Sequence, residues 1–259
     1  MSDLLARVTA FRAAFARRQA ADIRELPDFP GVFAVRDAEF VRSEEHNQLI
    51  VEGPGTDPAV LPELAARWLG RRRRYCITVL DPESGERAAP VLAAAGWERE
   101  SVVTLARPTD GCVLPEPAAL PVELGEVREA VMRQHREWSE DEELARQLTD
   151  RRTARLRGAE RVQFLAARTP AGEVAAWSDL YLEPAVGLAQ LEDAVTGSQH
   201  RGAGHGDTLL ASGLALAAEA GIPQLFLLAD AVDWPRAWYG RRGFVEIGCS
   251  HSFYGFYGR

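Results

Sequence analysis

The chain is 259 residues long, with 46% apolar and 26% charged residues, a composition typical of a folded globular protein and not of a disordered or fibrous one. It carries 30 basic and 38 acidic residues, for a net charge of −8 at pH 7, and every basic residue is arginine because the sequence contains no lysine. An acidic chain without a concentrated basic face is not expected to bind nucleic acid or an anionic membrane surface, since both require many contacts to phosphate.

Cysteine and histidine spacing narrows the chemistry further. Cys76, Cys112 and Cys249 lie far apart and form no CxxC pair, so they are not a disulfide framework and favour a reducing cytoplasm. The histidines include no HExxH pair, and no metal site is expected. Charged residues interrupt the N-terminal segment, and no run of about 18 apolar residues occurs. We therefore expect a soluble, cytoplasmic protein without a secretory signal or a membrane span.

The first part of the chain predicts alternating helices and strands. Asp57 and Pro58 supply an N-cap and a proline at the first helical position, and Gly70 can end the helix that they open. The run Arg71–Arg74 predicts a solvated basic turn at the end of that helix. The other predicted elements are helices over Ser2–Ala21 and Arg87–Ala95 and strands over Gly31–Val35, Gln48–Val51, Tyr75–Leu80 and Ser101–Leu105.

The second part predicts a similar alternation around a glycine-rich segment. Ser139 and Glu142 form an S-x-x-E capping box, which predicts a helix that runs to Gly158. The glycine-rich segment His200–Gly206 enters a helix that Gly221 ends, and Asp233 caps a further helix. The remaining predicted elements are a helix over Glu123–Trp138 and strands over Val162–Ala167, Val174–Leu182, Gly187–Thr196 and Leu225–Ala229.

The two parts end alike, which predicts an internal repeat. In each, a buried strand is followed by a helix, then by Gly96-Trp97 or Gly243-Phe244, and then by a further strand. The segment Pro108–Pro121 is rich in proline and is the best linker. We therefore predict two domains, residues 1–110 and 111–259. In the first copy, Gly53–Pro58 stands in place of the glycine-rich segment, and its two prolines remove backbone donors, so an anion site is not expected there.

The segment Arg201–Gly206, which we call the glycine-rich loop, carries the strongest chemical signal. A strand that leads through glycines into a helix N-terminus presents unpaired N–H groups and the positive end of the helix dipole, which favours a phosphate or pyrophosphate ligand. A Walker loop needs lysine, and the chain has none. A dinucleotide fingerprint needs glycine at the sixth position counted from Gly202, where this chain has Asp207.

The loop, the helix after it and a later Tyr-Gly-Phe segment resemble the GNAT superfamily of acyl-CoA-dependent N-acetyltransferases. The family pattern R-x-x-G-x-G followed by x-x-L-L and then by Y-x-x-x-G-F is carried by these residues: Arg201, Gly204, Gly206, Leu209, Leu210, Tyr239, Gly243 and Phe244. The resemblance covers residues 115–259 well and the first 110 as a degenerate copy of the same fold. It implies an α/β (α+β) GNAT fold, a mixed central sheet flanked by helices, with a smaller truncated GNAT-like N-terminal domain.

The resemblance also implies roles for individual residues. Main-chain N–H groups of Arg201, Gly202, Ala203, Gly204, His205 and Gly206 would bind the CoA pyrophosphate. Ala194, Val195 and Thr196 would hydrogen-bond the pantetheine arm as an added strand, and this strand should splay away from Leu225–Ala229. Tyr239 would protonate the departing thiolate.

The attacking amine must lose a proton, and two neighbouring carboxylates are candidates for the base. Glu192 and Asp193 precede the pantetheine-binding residues and should face opposite sides of a strand, so at most one can point into the cleft. Glu192 is the preferred candidate. The chain departs from the family pattern because the usual proline between strand and loop is absent. Gly197-Ser198 stands there instead, and a looser bend is expected.

These observations predict an N-acetyltransferase that uses acetyl-CoA as co-substrate, without a metal, and acts on a small-molecule amine. The more acidic second half favours a cationic acceptor by electrostatic steering. The alternative is a non-catalytic acyl-CoA sensor or partner module on the same fold. Homodimerisation is left open.

Overall fold

The computed structural model describes residues 3–70 and 74–256, and the chain divides into two units. Unit 1 comprises Met1–Leu105 and Leu228–Arg259, and unit 2 comprises Ala106–Leu227. Ser2 of the predicted N-terminal helix and Arg71–Arg73 of the predicted basic turn lie outside the described residues. Among the described residues, no helix is long and apolar enough to cross a membrane.

Unit 1 is a sheet whose strands follow the order β1-β2-β3-β4-β11-β5. Strand β11 pairs antiparallel with β4, from His251 opposite Val79 to Phe256 opposite Arg74. The last strand of this unit therefore lies inside the sheet. The elements of the unit are α1 (Asp3–Gln19), β1 (Asp22–Glu25), β2 (Val32–Arg36), β3 (Gln48–Val51), α2 (Leu61–Leu69), β4 (Arg74–Val79), α3 (Pro82–Ala94), most of β5 (Glu98–Pro108), the end of β10 (Gln224–Asp230), α8 (Pro235–Gly240) and β11 (Val245–Phe256).

Two apolar clusters hold unit 1 together. One joins α2 and α3 to the sheet and includes Leu49, Ile77 and Phe253, which are fully buried. The other joins α1 to the sheet through residues such as Ala13 and Phe33. Helix α3 begins where the sequence supplies a start signal, because the Asp81 side chain accepts a hydrogen bond from the N–H of Ser84 and Pro82 follows it.

Unit 2 is a sheet with the order β10-β9-β8-β7-β6. Helix α4 covers it through a cluster that includes Val127, Val131, Phe164 and Trp177. The elements are β6 (Leu120–Val122), α4 (Leu124–Trp138), α5 (Glu142–Asp150), α6 (Arg152–Arg155), β7 (Arg161–Arg168), β8 (Val174–Glu183), β9 (Leu188–Thr196), α7 (His205–Glu219) and the start of β10.

The structure differs from the predicted elements at several points. The capping box predicted at Ser139 and Glu142 is wrong: Asp141 caps α5, and the helical stretch breaks at Arg151 before α6. A capping box forms instead at the start of α4, between Glu123 and Glu126. The predicted division at residue 110 follows the repeat along the sequence, whereas the units break after Leu105 and Leu227 because β11 pairs with β4.

Candidate functional site

Strand β9 carries a bulge in the middle of unit 2. Its pairing with β8 sets Asp179 opposite Glu192 and then Trp177 opposite Val195, so Ser178 alone faces both Asp193 and Ala194. Asp193 has a φ of +48°, the one positive value outside glycine among residues 3–70 and 74–256. A left-handed backbone costs an ordinary L-residue roughly 1–2 kcal/mol, although aspartate tolerates it better than most. The regular alternation assumed for Glu192 and Asp193 is therefore broken here.

The bulge coincides with the end of the ladder between β9 and β10. The two strands pair in parallel from Leu188 opposite Gln224 to Leu191 opposite Leu227, and this register ends there. Strand β9 continues through Glu192–Thr196, paired on its other side with β8. The register thus ends one residue before Glu192, the predicted base.

Hydrogen bonds hold the bend between β9 and the glycine-rich loop. The N–H of Gly197 donates to the carbonyl of Ala175 at 3.0 Å, and the N–H of His200 donates to the carbonyl of Gly197 at 2.9 Å. The Ser198 hydroxyl donates to Glu137 on α4 at 2.7 Å. The looser bend expected from the missing proline is therefore corrected: the turn is tied to both β8 and α4.

The glycine-rich loop has the backbone that its glycines permit. Gly202 and Gly204 have φ values of +80° and +84°, and a Cβ added to either would meet no atom within 4 Å. Gly204 is the N-cap of α7, which begins at His205. As a glycine it has no side chain that could cap the first N–H groups of the helix. The first turn of a helix leaves its N–H groups without intrahelical partners. The open space over these glycines suits a ligand that approaches the main chain closely.

The side chains of Arg201 and His205 in this loop have different surroundings. Arg201 is exposed, and no hydrogen-bond or ion-pair partner for its guanidinium occurs within the part of the chain that the structure describes. The ring of His205 packs edge-on against that of His200, with centroids 6.2 Å apart. His200 also lies 3.4 Å from Glu173, and that contact lowers the pKa of Glu173. The histidines therefore pack locally, and Arg201 supplies the available positive charge.

The carboxylate preferred as base is half-buried and oriented by a neighbour. The side-chain amide of Gln190 donates a hydrogen bond to Oε2 of Glu192. Ala194 is exposed, whereas Val195 and Thr196 are half-buried. Glu192, the residues Ala194–Thr196 and the loop thus follow one another along a single strand and turn of unit 2.

Sequence reasoning missed a buried group of charges beside the bulge, which we call the ion cluster: Arg152, Arg155, Asp179 and Asp193. Asp179 is fully buried and accepts hydrogen bonds from Nη1 of Arg152 and, at 2.7 Å, from Nη1 of Arg155. Asp193 accepts from Arg152 at 3.1 Å and from Arg155 at 2.6 Å. Burial raises the pKa of Asp179, although the charges of the two arginines oppose that shift.

Near the ion cluster, α4 contributes a histidine that is kept neutral. Burial, followed by the charge of Arg151, lowers the pKa of His135 from 6.5 to about 4. Its ring contacts that of Trp138 edge-on, with centroids 5.6 Å apart. The imidazole is therefore uncharged at neutral pH.

Tyr239 belongs to unit 1, unlike the other candidate site residues. It lies on α8 and is 9% exposed. Its ring packs against those of Trp238 and Phe244, with centroids 4.9 and 5.9 Å away. The Tyr-Gly-Phe segment of the sequence pattern is thus one packed turn at the end of α8.

The residues of unit 2 fit a CoA pyrophosphate, because open space covers the two positive-φ glycines at the start of a 15-residue helix. Arg201 and the main chain of Gly202–Gly206 would hold it. Among the described residues, no group of three or more histidine, cysteine, aspartate or glutamate side chains could hold a metal ion.

Solved structures resemble this chain over nearly its whole length. A GCN5-related N-acetyltransferase from Kribbella flavida matches with a TM-score of 0.65 at 17% identity, covering 100% of this chain and 98% of that one. A conserved protein of unknown function from Staphylococcus epidermidis matches with a TM-score of 0.67 at 10% identity, covering 91% and 94%. A tandem GNAT protein from the clavulanic acid biosynthesis pathway matches with a TM-score of 0.52 at 16% identity, covering 98% and 95%.

Sequence comparison adds no closer relative: no protein-family model matches the chain. A search of curated proteins likewise finds no match. The structural likeness confirms the predicted fold class. The chain has the fold of the GNAT superfamily of GCN5-related N-acetyltransferases.

Proposed function

We propose that the protein is an N-acetyltransferase that moves an acetyl group from acetyl-CoA directly to a primary amine of a small-molecule acceptor. The observation that carries the proposal is the course of β9. Its ladder with β10 ends at Leu191, and the strand then leads through a bulge and a glycine-rich turn into the N-terminus of α7. This arrangement supports a ligand with an extended arm and a pyrophosphate, which is the shape of CoA.

The chain's own residues supply binding and proton transfer. Arg201 and the main-chain N–H groups up to Gly206 bind the pyrophosphate, and the permanently charged, planar guanidinium suits that anion. Ala194–Thr196 bind the pantetheine arm through the main chain, as an added strand. Acetyl-CoA supplies the activated acyl group.

Two side chains handle protons in this proposal. Glu192 takes the proton of the attacking amine at a carboxylate oxygen, which the hydrogen bond from Gln190 helps to orient. Tyr239 gives its hydroxyl proton to the leaving thiolate. The role of Tyr239 rests on the family resemblance, and that of Glu192 on its place directly before the proposed pantetheine-binding residues.

Ligand binding is tested first, by thermal unfolding with and without acetyl-CoA. A ligand at a hundredfold excess over its Kd stabilises the folded state by about 2.7 kcal/mol, so we expect a clear rise in Tm. If saturating acetyl-CoA leaves Tm unchanged, neither the enzyme nor the sensor described above is correct.

Catalysis is tested by measuring CoA release with a panel of amines, in the wild type and in Tyr239→Phe. We expect release above the background hydrolysis rate with at least one amine, and a reduced maximal rate in the variant. Background rates with every amine would favour the non-catalytic sensor. Wild-type rates in Tyr239→Phe would remove this tyrosine as the proton donor.

The glycine-rich loop is tested with a matched pair of substitutions at the two ends of α7. Gly204 and Gly221 both have a positive φ and open space around the missing Cβ, so alanine costs similar backbone strain at either site. We expect Gly204→Ala to weaken CoA binding about tenfold and Gly221→Ala to leave it unchanged, as measured by calorimetric titration. Equal affinities in the two variants would contradict close approach of CoA to the loop.

A further inference from the structure

The ion cluster joins the two strands across the bulge. Each arginine of α6 bonds both carboxylates: Arg152 and Arg155 reach Asp179 on β8 and Asp193 on β9. Asp179 is paired opposite Glu192, the residue directly before Asp193. The cluster therefore fixes Asp193 relative to the regular part of the β8–β9 ladder.

A gain in the stability of the folded protein is a poor explanation for the ion cluster. The side chain of Asp179, on the largely apolar strand β8, is fully buried, and those of Arg152 and Arg155 are 3% and 2% exposed. Buried ion pairs are often no more stabilising than apolar side chains of the same size, because the charges lose their hydration. The ion cluster is better explained by the local backbone geometry that its hydrogen bonds hold in place.

That geometry is the backbone of Asp193. A residue with positive φ persists only where its surroundings over-determine it. The carboxylate of Asp193 is 32% exposed, yet it is held at 3.1 and 2.6 Å by the two arginines, which are themselves fixed by Asp179. The bulge begins at the residue after Glu192, and the β9–β10 ladder ends one residue before Glu192.

We infer that Arg152 and Arg155 are positioning residues: by holding the carboxylate of Asp193, they fix the bulge of β9 and thereby the main-chain face of Ala194–Thr196 that receives the pantetheine arm. The inference rests on the proposed function, since it assigns that arm to β9. The inference concerns only the pantetheine arm of CoA, because the pyrophosphate end is bound by the glycine-rich loop and not by the bulge.

The test compares two ligands by calorimetric titration: CoA, and 3′-phosphoadenosine 5′-diphosphate, which keeps the pyrophosphate and lacks the pantetheine arm. Valine at position 193 removes the carboxylate and resists a positive φ. We expect Asp193→Val to bind CoA about tenfold more weakly, equivalent to one or two main-chain hydrogen bonds, and to bind the 5′-diphosphate as the wild type does. Arg155→Met should have the same selective effect.

Glycine at position 193 provides the rescue. Because glycine adopts a positive φ without a side-chain lock, Asp193→Gly should bind CoA better than Asp193→Val, and Arg155→Met should cost less affinity in the Asp193→Gly background. The control is Arg128→Met, which breaks an exposed ion pair with Asp150 (2.8 Å) away from β9 and should leave both ligands unaffected.

The outcomes are distinguishable. Wild-type CoA affinity in Asp193→Val, or an equal loss of both ligands in every variant of the cluster, would overturn the inference. If Arg155→Met does not fold, the comparison of Asp193→Val with Asp193→Gly still tests the inference. Neither of these two substitutions removes a hydrogen-bond partner of the fully buried Asp179. A wild-type protein that binds neither CoA nor 3′-phosphoadenosine 5′-diphosphate would instead refute the proposed function.

Discussion

His135 shows how a single residue links burial to stability. Its pKa in the folded protein is about 4, against 6.5 in an accessible histidine, because burial and Arg151 disfavour the charged ring. Between these two values the unfolded chain binds a proton at this position and the folded chain does not. The contribution of His135 to stability is therefore complete above pH 6.5 and is lost as the pH falls towards 4.

We expect this titration to be visible in the free energy of unfolding. That energy, measured by urea denaturation between pH 7 and pH 4, should fall more steeply for the wild type than for His135→Gln, which cannot take up the proton. The carboxylates titrate in both proteins, so the difference between the two curves isolates the imidazole. Parallel curves would show that His135 is not shielded from protonation.

At the scale of an element, α3 approaches β11 through a glycine. A Cβ added to Gly85 would lie 2.1 Å from Cδ2 of His251, a side chain that is 2% exposed. A hydrogen bond between Nδ1 of His251 and the hydroxyl of Ser101, 3.0 Å apart, holds the histidine ring in place. The helix can therefore pack at this distance only if position 85 carries no side chain.

The helix contact predicts opposite effects for two glycine-to-alanine substitutions. Alanine favours a helix interior by roughly 0.5–1 kcal/mol over glycine. Gly125 on α4 has open space around its missing Cβ, so Gly125→Ala should stabilise the protein by about that amount. Gly85→Ala should destabilise it by about 1–3 kcal/mol through overpacking. Thermal unfolding measures both, and a stabilised Gly85→Ala would contradict the close approach.

Elements with strong local signals were predictable from the sequence. The glycine-rich loop and α7 follow from glycines at positions that need a positive φ. The helix predicted over Arg87–Ala95 exists as α3 but begins at Pro82, because the N-cap signal of Asp81 was overlooked. Strand β1 was missed because Asp22–Glu25 is short, largely exposed and polar. The start of α5 was misplaced because two start signals compete there: Ser139 accepts from the N–H of Asp141, and Asp141 caps the helix.

The bulge and the ion cluster were not predictable in the same way. A bulge leaves no periodic signal in the sequence, and nothing in the residue types of Glu192–Thr196 marks the extra residue. The partners in the cluster are 24 to 41 residues apart, so no local pattern joins them. One signal was available: Asp179 is an acidic residue inside an apolar strand, which requires a buried partner.

At the scale of the whole molecule, unit 1 is built from the two ends of the described chain. Phe253 on β11 is fully buried in the cluster that also holds Ile77 on β4. Replacement of a buried phenylalanine by alanine costs about 3–5 kcal/mol. A change near residue 253 should therefore loosen structure that the sequence places far away.

We expect Phe253→Ala to speed amide hydrogen exchange in β4, which lies beside β11, and in β3, the next strand in the order of unit 1. Exchange measured by mass spectrometry on peptides from residues 48–51 and 74–79 checks this. The control is Val245→Ala at the start of the same strand, where the side chain is 65% exposed. Unchanged exchange in these peptides would show that β11 does not support the sheet.

The discontinuous course of unit 1 has a consequence during synthesis on the ribosome. Unit 2 is one continuous stretch, so all of its strands have been made when Leu227 emerges, whereas unit 1 still lacks β11. Until then the edge of β4 that β11 will cover has no partner, and an uncovered strand edge is a template for pairing with another chain. The nascent protein thus carries an aggregation-prone edge until β11 has been made and pairs with β4.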